Sequence, residues 1–438
     1  MKFLGIKNEF FRHTGLMFIG IGLFNLFGLL YHFSMLRLLS PVDYGHLNTL
    51  ITLFMIISVP AGTVQTTVTK FVSSFHAMNQ LEEVRSLLRH VFRLMLVIGL
   101  SLFLLISLGS PFISSFLQIS SYGMILLLGA SLFLAIVIQV SWGGLQGLQQ
   151  FGSLAFNLVI NGGSKCVLGI ASVLFGLGVS GALSAVVISY FITTILSFLI
   201  LKMSLDQGKD KANPGLGSGD SNQIDFSKVY LYSLPVGLTL FCFMVLTNID
   251  LIWVKHFFLP LEAGHYSIAQ MVGKIIFVFP FPVVMVMFPK LASLRMEKQE
   301  TKAFSILRNS LILTAFLCGG ATFISSLLPS LVIQGLSGKV YLECIPLVGI
   351  FSLNMTFFSL SLILIHYQLS TDQRGFLYPL ILCTLVQSGL IILFHKSLMQ
   401  VLFIVGIVAL CLMAINFYLV YRPYRGGKKE GRAAEPDL

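Results

Sequence analysis

Apolar runs of about twenty residues follow one another along the chain, separated by short polar breaks. Runs long enough to span occur at 15–36, 46–70, 91–112, 122–142, 154–176 and 179–202, then at 229–253, 264–288, 304–328, 343–367, 376–394 and 397–421. A hydrocarbon core of about 30 Å takes roughly 20 helical residues, so each run predicts one crossing. Between the two sets lies the polar stretch 206–226, with four glycines and one proline, which reads as a hydrated linker. The pattern predicts an all-α polytopic membrane protein of about twelve transmembrane helices. Its expected parts are an N-terminal six-helix bundle over 1–205, a cytoplasmic linker over 206–226, a C-terminal six-helix bundle over 227–421 and a basic cytoplasmic tail over 422–438.

The two halves repeat. Pro41, Asp43, Gly45 and His46 after the first run are matched by Pro260, Glu262, Gly264 and His265 after the seventh, 219 residues on. Pro60 corresponds to Pro280, and Lys70 and Ser73 to Lys290 and Ser293, at an offset of 220. Six spans is an even number, so both halves enter the bilayer from one side and are related by an axis along its normal. Two such bundles are expected to enclose a central cavity. A proline inside a span removes a backbone hydrogen bond and bends the helix, which makes Pro60, Pro280 and Pro282 the expected bends. The histidines recur with the repeat and read as turn-capping residues.

Composition makes the membrane reading obligatory. The 438 residues are 56% hydrophobic and 10% charged, with a mean hydropathy of +0.90, against about 25% charged in an ordinary soluble domain. The net charge of +11 is not a nucleic-acid footprint, because the basic residues occupy the gaps between apolar runs. With the N-terminus inside, 22 of the 28 Lys and Arg fall on the inner side and four on the outer. That bias places both termini in the cytoplasm of a multi-pass protein of the inner membrane. Lys2, Lys7 and Arg12 look like a signal-peptide start, but the run that follows is too long and lacks a small-residue cleavage site, so it reads as a retained first helix. The segment 76–93 alternates apolar and charged residues at helical spacing, and lies either along the inner membrane face or on an extension of the third helix.

Charged residues inside spans are expensive and therefore candidates for function. Lys165 falls at mid-span in the fifth run, beside Asn161, and Lys274 lies about ten residues into the eighth. Asp250, flanked by Asn248, is the one acidic residue inside a predicted span apart from Glu343, the first residue of the tenth run, while Arg37 and Lys255 stand at outer helix ends. The repeat-equivalents of Lys165, Asp250 and Lys274 are Thr384, Tyr31 and Met55, so these charges belong to one half each. Lys274 could pair with Asp250, and Arg37 and Lys255 could be ordinary interfacial anchors. A cavity with several cations and one carboxylate suits an anionic, amphipathic guest. Gln139, Gln146, Gln149 and Asn161 read either as contacts for sugar hydroxyls or as interfacial polar residues. Catalysis is disfavoured: the spans hold no paired carboxylates, no phosphate-cradling loop and no metal-ligand spacing, and the six cysteines sit singly in apolar segments. No cofactor is expected.

The segment Leu38, Leu39, Ser40, Pro41, Val42, Asp43, Tyr44 and Gly45 resembles the L-S-P-x-[DE]-[YF]-G signature of Wzx-type polysaccharide flippases, within the multidrug/oligosaccharidyl-lipid/polysaccharide exporter superfamily. Asn248, Asp250 and Lys255, followed by Pro260, Gly264 and Tyr266 and later by Phe288, Pro289 and Lys290, carry the same resemblance. It implies alternating-access export of a polyprenyl-diphosphate-linked oligosaccharide for surface polysaccharide synthesis. Polysaccharide polymerase and glycosyltransferases would be partners, beside membrane lipids, with no nucleic acid involved. On that reading Lys165, Lys274, Arg37 and Asn161 bind substrate, and Asp250, Asn248 and Lys255 gate or couple. The chain lacks the acidic first-half residues of drug-exporting relatives and the two extra helices of lipid II flippases. The alternative is a cation-coupled multidrug extruder on the same scaffold. A membrane-embedded polymerase would need a long outer loop bearing Arg or His, and the outer loops are short.

Overall fold

The computed structural model describes residues 2–207, 237–296, 299–371 and 375–433, and all regular structure in them is helical. Most of the expected linker and the end of the tail lie outside the described residues. Two compact units divide at Phe241/Cys242. The first unit holds α1 (Lys2–Leu38), α2 (Pro41–Ala77), α3 (Leu81–Leu108), α4 (Ser110–Phe116), α5 (Tyr122–Gly147), α6 (Phe151–Leu174) and α7 (Gly178–Gln207). After α8 (Gly237–Leu246), which crosses the division, come α9 (Ile249–Phe257), α10 (Pro260–Ile276), α11 (Pro280–Met296), α12 (Glu300–Leu327), α13 (Pro329–Ser337), α14 (Ile345–Ser370), α15 (Leu377–Leu393) and α16 (Leu398–Ala433).

Ten of these stretches are long and apolar enough to cross a membrane. The bent pair α8 and α9, at 40°, would be an eleventh, and α15 is a shorter apolar helix. The expected twelve is reached only if both of these also cross. Where the sequence suggested one run over 229–253, the chain breaks at Thr247 and Asn248. The segment 81–93 is the start of α3, which continues unbroken into its apolar length.

Local chemistry sets the ends. Ser40 is the N-cap of α2, its hydroxyl oxygen accepting from the Asp43 backbone N–H at 3.1 Å, with Pro41 in the first turn where its missing donor costs nothing. The helix passes through Pro60 without interruption. At the matching place in the second half α10 stops at Ile276, three residues turn, and Pro280 starts α11 with Pro282 in its first turn. The repeated proline therefore sits inside a helix in one unit and at a helix start in the other.

With no hydrophobic drive between helices in lipid, association depends on close approach and polar contacts. In the first unit α5 is central, packing on α2, α3 and α7, while α1 packs on α6. A Cβ on Gly147 would stand 2.6 Å from Val72 Cβ, and one on Gly143 2.8 Å from the Gln65 carbonyl. Trp142 Nε1 donates to Asn157 at 3.1 Å, and the Ser141 and Ser197 hydroxyls meet at 2.6 Å. The second unit repeats the plan, with α14 packed on α10, α12 and α16. Asn354 donates to the Leu402 carbonyl, and Gln368 to Asn416. The short helices α4 and α13 begin 219 residues apart, at Ser110 and Pro329.

Candidate functional site

In the first unit the site is built on the contact of α1 with α6. Glycines allow that contact: a Cβ on Gly162 would meet Phe24 at 3.2 Å, and one on Gly169 would meet the Tyr31 ring at 2.6 Å. Tyr31 is wholly buried, and its hydroxyl donates to the Ala182 carbonyl of α7 at 3.0 Å. Lys165 projects from mid-α6 across this seam. Its Nζ lies 5.3 Å from the Tyr31 ring centroid and 5.9 Å from that of Phe24, and 3.9 Å from where Gly28 would carry a Cβ. Phe24, Gly28 and Tyr31 follow at i, i+4 and i+7, so one face of α1 receives the ammonium. Two ring faces attract a cation electrostatically but do not neutralise it.

The other first-unit candidates have different surroundings. Asn161 is buried, and its amide donates to Thr193 at 3.0 Å, tying α6 to α7. Arg37 is exposed in the last turn of α1, where a cation complements the helix C-terminus. Gln146 accepts from Gln65 at 3.0 Å and from Thr69 at 3.3 Å, within the α2–α5 contact.

In the second unit Asn248 is the N-cap of α9. Its amide donates to the Met244 carbonyl and to the Thr247 hydroxyl, both at 2.9 Å, which satisfies groups freed by the helix break. Asp250 follows in the first turn of α9, where a negative charge faces the positive end of the helix dipole. It is 1% exposed. Its Oδ2 accepts from the Tyr266 hydroxyl of α10 at 2.7 Å, and its Oδ1 has no hydrogen-bond partner among the described residues. Lys274 is half-buried in the last turn of α10. Tyr266, Gln270 and Lys274 stand at i, i+4 and i+8, so they form one stripe along α10. Lys255 is wholly buried near the end of α9, and its Nζ has no hydrogen-bond partner among the described residues.

The structure thus joins Asp250 to Tyr266 and puts Lys165 against aromatic rings of its own unit. Three participants escaped the sequence reading: Phe24, Tyr31 and Tyr266. Tyr266 was visible as part of a motif, and Tyr31 as the repeat-equivalent of Asp250, but an aromatic residue in an apolar run carries no mark of what it faces. Among the described residues, no three His, Cys, Asp or Glu gather in a way that could hold a metal ion.

These helices define a class: a multi-pass membrane protein with the fold of transporters of the MOP superfamily. An inward-facing multidrug resistance MATE family transporter of that superfamily is similar at 13% identity and a TM-score of 0.75, over 94% of this chain and 99% of the other. An outward-facing multidrug resistance MATE family transporter is similar at 15% identity and a TM-score of 0.64, over 95% and 96%. A MOP superfamily transporter from Pyrococcus furiosus, described as having a binding pocket of reverse polarity that suggests a different function, is similar at 16% identity and 0.62, over 93% of each chain. No curated protein matches in sequence. The family model of polysaccharide biosynthesis proteins matches residues 10–295, and the chain belongs to that family.

Proposed function

We propose that this protein carries a polyprenyl-diphosphate-linked oligosaccharide across the cytoplasmic membrane by alternating access, for surface polysaccharide synthesis. The observation that carries the proposal is Lys165, a charge at the middle of a membrane-crossing helix whose ammonium has ring faces beside it and no hydrogen bond or ion pair among the described residues. Such a charge costs about 2.5–3.5 kcal/mol to insert and is retained where it meets an anion. A diphosphate supplies that anion, while the polyprenyl tail stays in lipid. Lys274 offers a second foothold, and Arg37 would attract the same charge at the helix end. Asn161 would act by holding α6 in place, and Asn248 and Lys255 would support Asp250 at the break between α8 and α9. Both termini would be cytoplasmic, with glycosyltransferases supplying the cargo and a polymerase consuming it.

A cation-coupled multidrug extruder is the second reading. It is favoured by the similar multidrug transporters and by the buried Asp250 carboxylate, whose Oδ1 has no hydrogen-bond partner among the described residues. The reverse-polarity pocket ascribed to the Pyrococcus furiosus transporter is a precedent for departure from drug export on this scaffold.

Transfer of a polyprenyl-diphosphate oligosaccharide across proteoliposomes holding the purified protein tests the choice. A charged hydrogen bond is worth about 1.5–3 kcal/mol, so Lys165→Ala is expected to slow transfer by about 10- to 100-fold. Absence of glycolipid transfer, with counterflow of cationic dyes that Asp250→Asn abolishes, would replace this reading by the second.

A further inference from the structure

Lys165 occupies its surroundings as a bound cation would. Its ammonium has the Tyr31 ring centroid at 5.3 Å and that of Phe24 at 5.9 Å. A Cβ on Gly28 would stand 3.9 Å from Nζ, so a side chain larger than alanine there would take the room that the ammonium uses. The Tyr31 ring is fixed by the hydrogen bond from its hydroxyl to the Ala182 carbonyl. No Asp or Glu occurs in 10–42, 151–174 or 178–205, the apolar length of α1, the helix α6 packed on it and the helix α7 packed on α6. Ring faces without a carboxylate suit a weakly hydrated organic cation, above all a quaternary ammonium. In this chain the place is filled from within.

The repeat shows that the lysine is not part of the scaffold. At the offset of 219, Thr384 stands for Lys165, and its hydroxyl donates to the Leu380 carbonyl at 2.8 Å and to the Cys242 carbonyl at 3.4 Å. Phe243 stands for Phe24, with its ring stacked on Phe277 at 5.9 Å and edge-on to Phe358 at 6.2 Å, and Asp250 stands for Tyr31. The matching seam of the second unit therefore has neither the lysine nor the ring pair. Within one chain the two features occur together in one unit and are absent together in the other.

We propose that Lys165 is a specificity-determining residue: a tethered cation that fills the ring-faced seam of Phe24 and Tyr31, and so excludes quaternary ammonium ions from a site that would otherwise take them. Phe24 and Tyr31 are positioning residues, because they hold the ammonium over their faces. Exclusion has two sources. The lysine stem occupies the volume, and like charges repel strongly where the dielectric is low. Discrimination is then built as a repulsive element against the wrong guest as well as an attractive one for the right guest. The inference goes beyond the anion reading and does not need it, since barring a cation and drawing a phosphate are separate effects of one ammonium.

The test is equilibrium dialysis of radiolabelled tetramethylammonium against the full chain in nanodiscs of zwitterionic lipid, with monodispersity and melting temperature showing that each variant is folded. Lys165→Ala, and Lys165→Thr, which installs the residue found at the matching place in the second unit, should each bind at least about tenfold more tightly than wild type. Lys165→Met keeps the stem without the charge and should fall between them. Adding Phe24→Leu or Tyr31→Leu to Lys165→Ala should weaken binding by about 2- to 30-fold, whereas adding Tyr31→Phe, which keeps the ring, should change it little. Equal binding by wild type, Lys165→Ala and Lys165→Thr would overturn the proposal, as would a gain that survives loss of both rings. Inorganic pyrophosphate, dialysed against the same samples, separates this from the anion reading. A pyrophosphate site lost in Lys165→Ala with no cation gained would overturn the exclusion and leave the anion reading standing. A cation gained by Lys165→Ala, from a wild type that binds no pyrophosphate, would support the exclusion and remove the anion reading.

Discussion

Each intramembrane charge meets a different environment, and the consequences are separable by single substitutions. Tyr31 has two roles, a hydrogen bond to the Ala182 carbonyl and a ring beside Lys165. Tyr31→Phe removes only the first. It is expected to cost about 1 kcal/mol of stability, read as a lower melting temperature in detergent, with transfer retained. Arg85 shows how a charge can be structural. It is 14% exposed, donates to Glu82 at 2.6 Å and to the Leu205 carbonyl near the end of α7 at 2.7 Å, and lies 3.7 Å from Asp206. Arg85→Ala should lower stability by about 1–2 kcal/mol, whereas Arg89→Ala, exposed one turn further on, should change it by under about 0.5. Equal effects from both would mean that the tie to α7 contributes nothing.

Between helices, glycine content matters through position. Gly143 and Gly147 of α5 face α2 so closely that a methyl group has no room, and the neighbours include the Gln65 and Thr69 backbone carbonyls as well as Val68 and Val72. Gly147→Ala is therefore expected to destabilise by about 1–3 kcal/mol, as overpacking does. Gly62, exposed on α2, would place its Cβ in open space. Gly62→Ala should be neutral or stabilising by up to about 1 kcal/mol, through helix propensity. Thermal unfolding of the pair in one detergent checks the contrast, and a matching loss at both positions would refute the packing argument. Asn248 belongs to this scale too, because its amide ties together the break between α8 and α9 that positions Asp250.

Across the whole molecule, the repeat is visible in the packing plan of each unit: α5 and α14 hold equivalent central places, and α4 and α13 recur at the sequence offset. The mid-span charges, by contrast, are not repeated, which is how one scaffold can carry Lys165 beside aromatic rings in one unit and a buried Asp250–Tyr266 pair in the other. The bias of Lys and Arg predicts the orientation. In a Cys411→Ser background, Ser218→Cys in the polar segment should react with a membrane-impermeant maleimide in inside-out vesicles and not in right-side-out ones. The reverse pattern would invert the topology.

Long apolar runs, lysine and arginine in the gaps and the half-chain offset already determine a helical membrane protein built from two similar halves. Those features are local or periodic, and the bilayer enforces them on every span. The same local rules mark Lys165, Lys274 and Asp250, since a charge in an apolar run stands out wherever it occurs. They could not supply the break at Asn248, where side-chain bonds replace helix bonds. Nor could they show that Tyr266 donates to Asp250, that Tyr31 and Phe24 flank Lys165, or that Asn161 is engaged by Thr193. Those facts depend on which faces of which helices meet, and beside Lys165 that is decided by the glycine-permitted approach of α1 to α6, segments far apart in the chain.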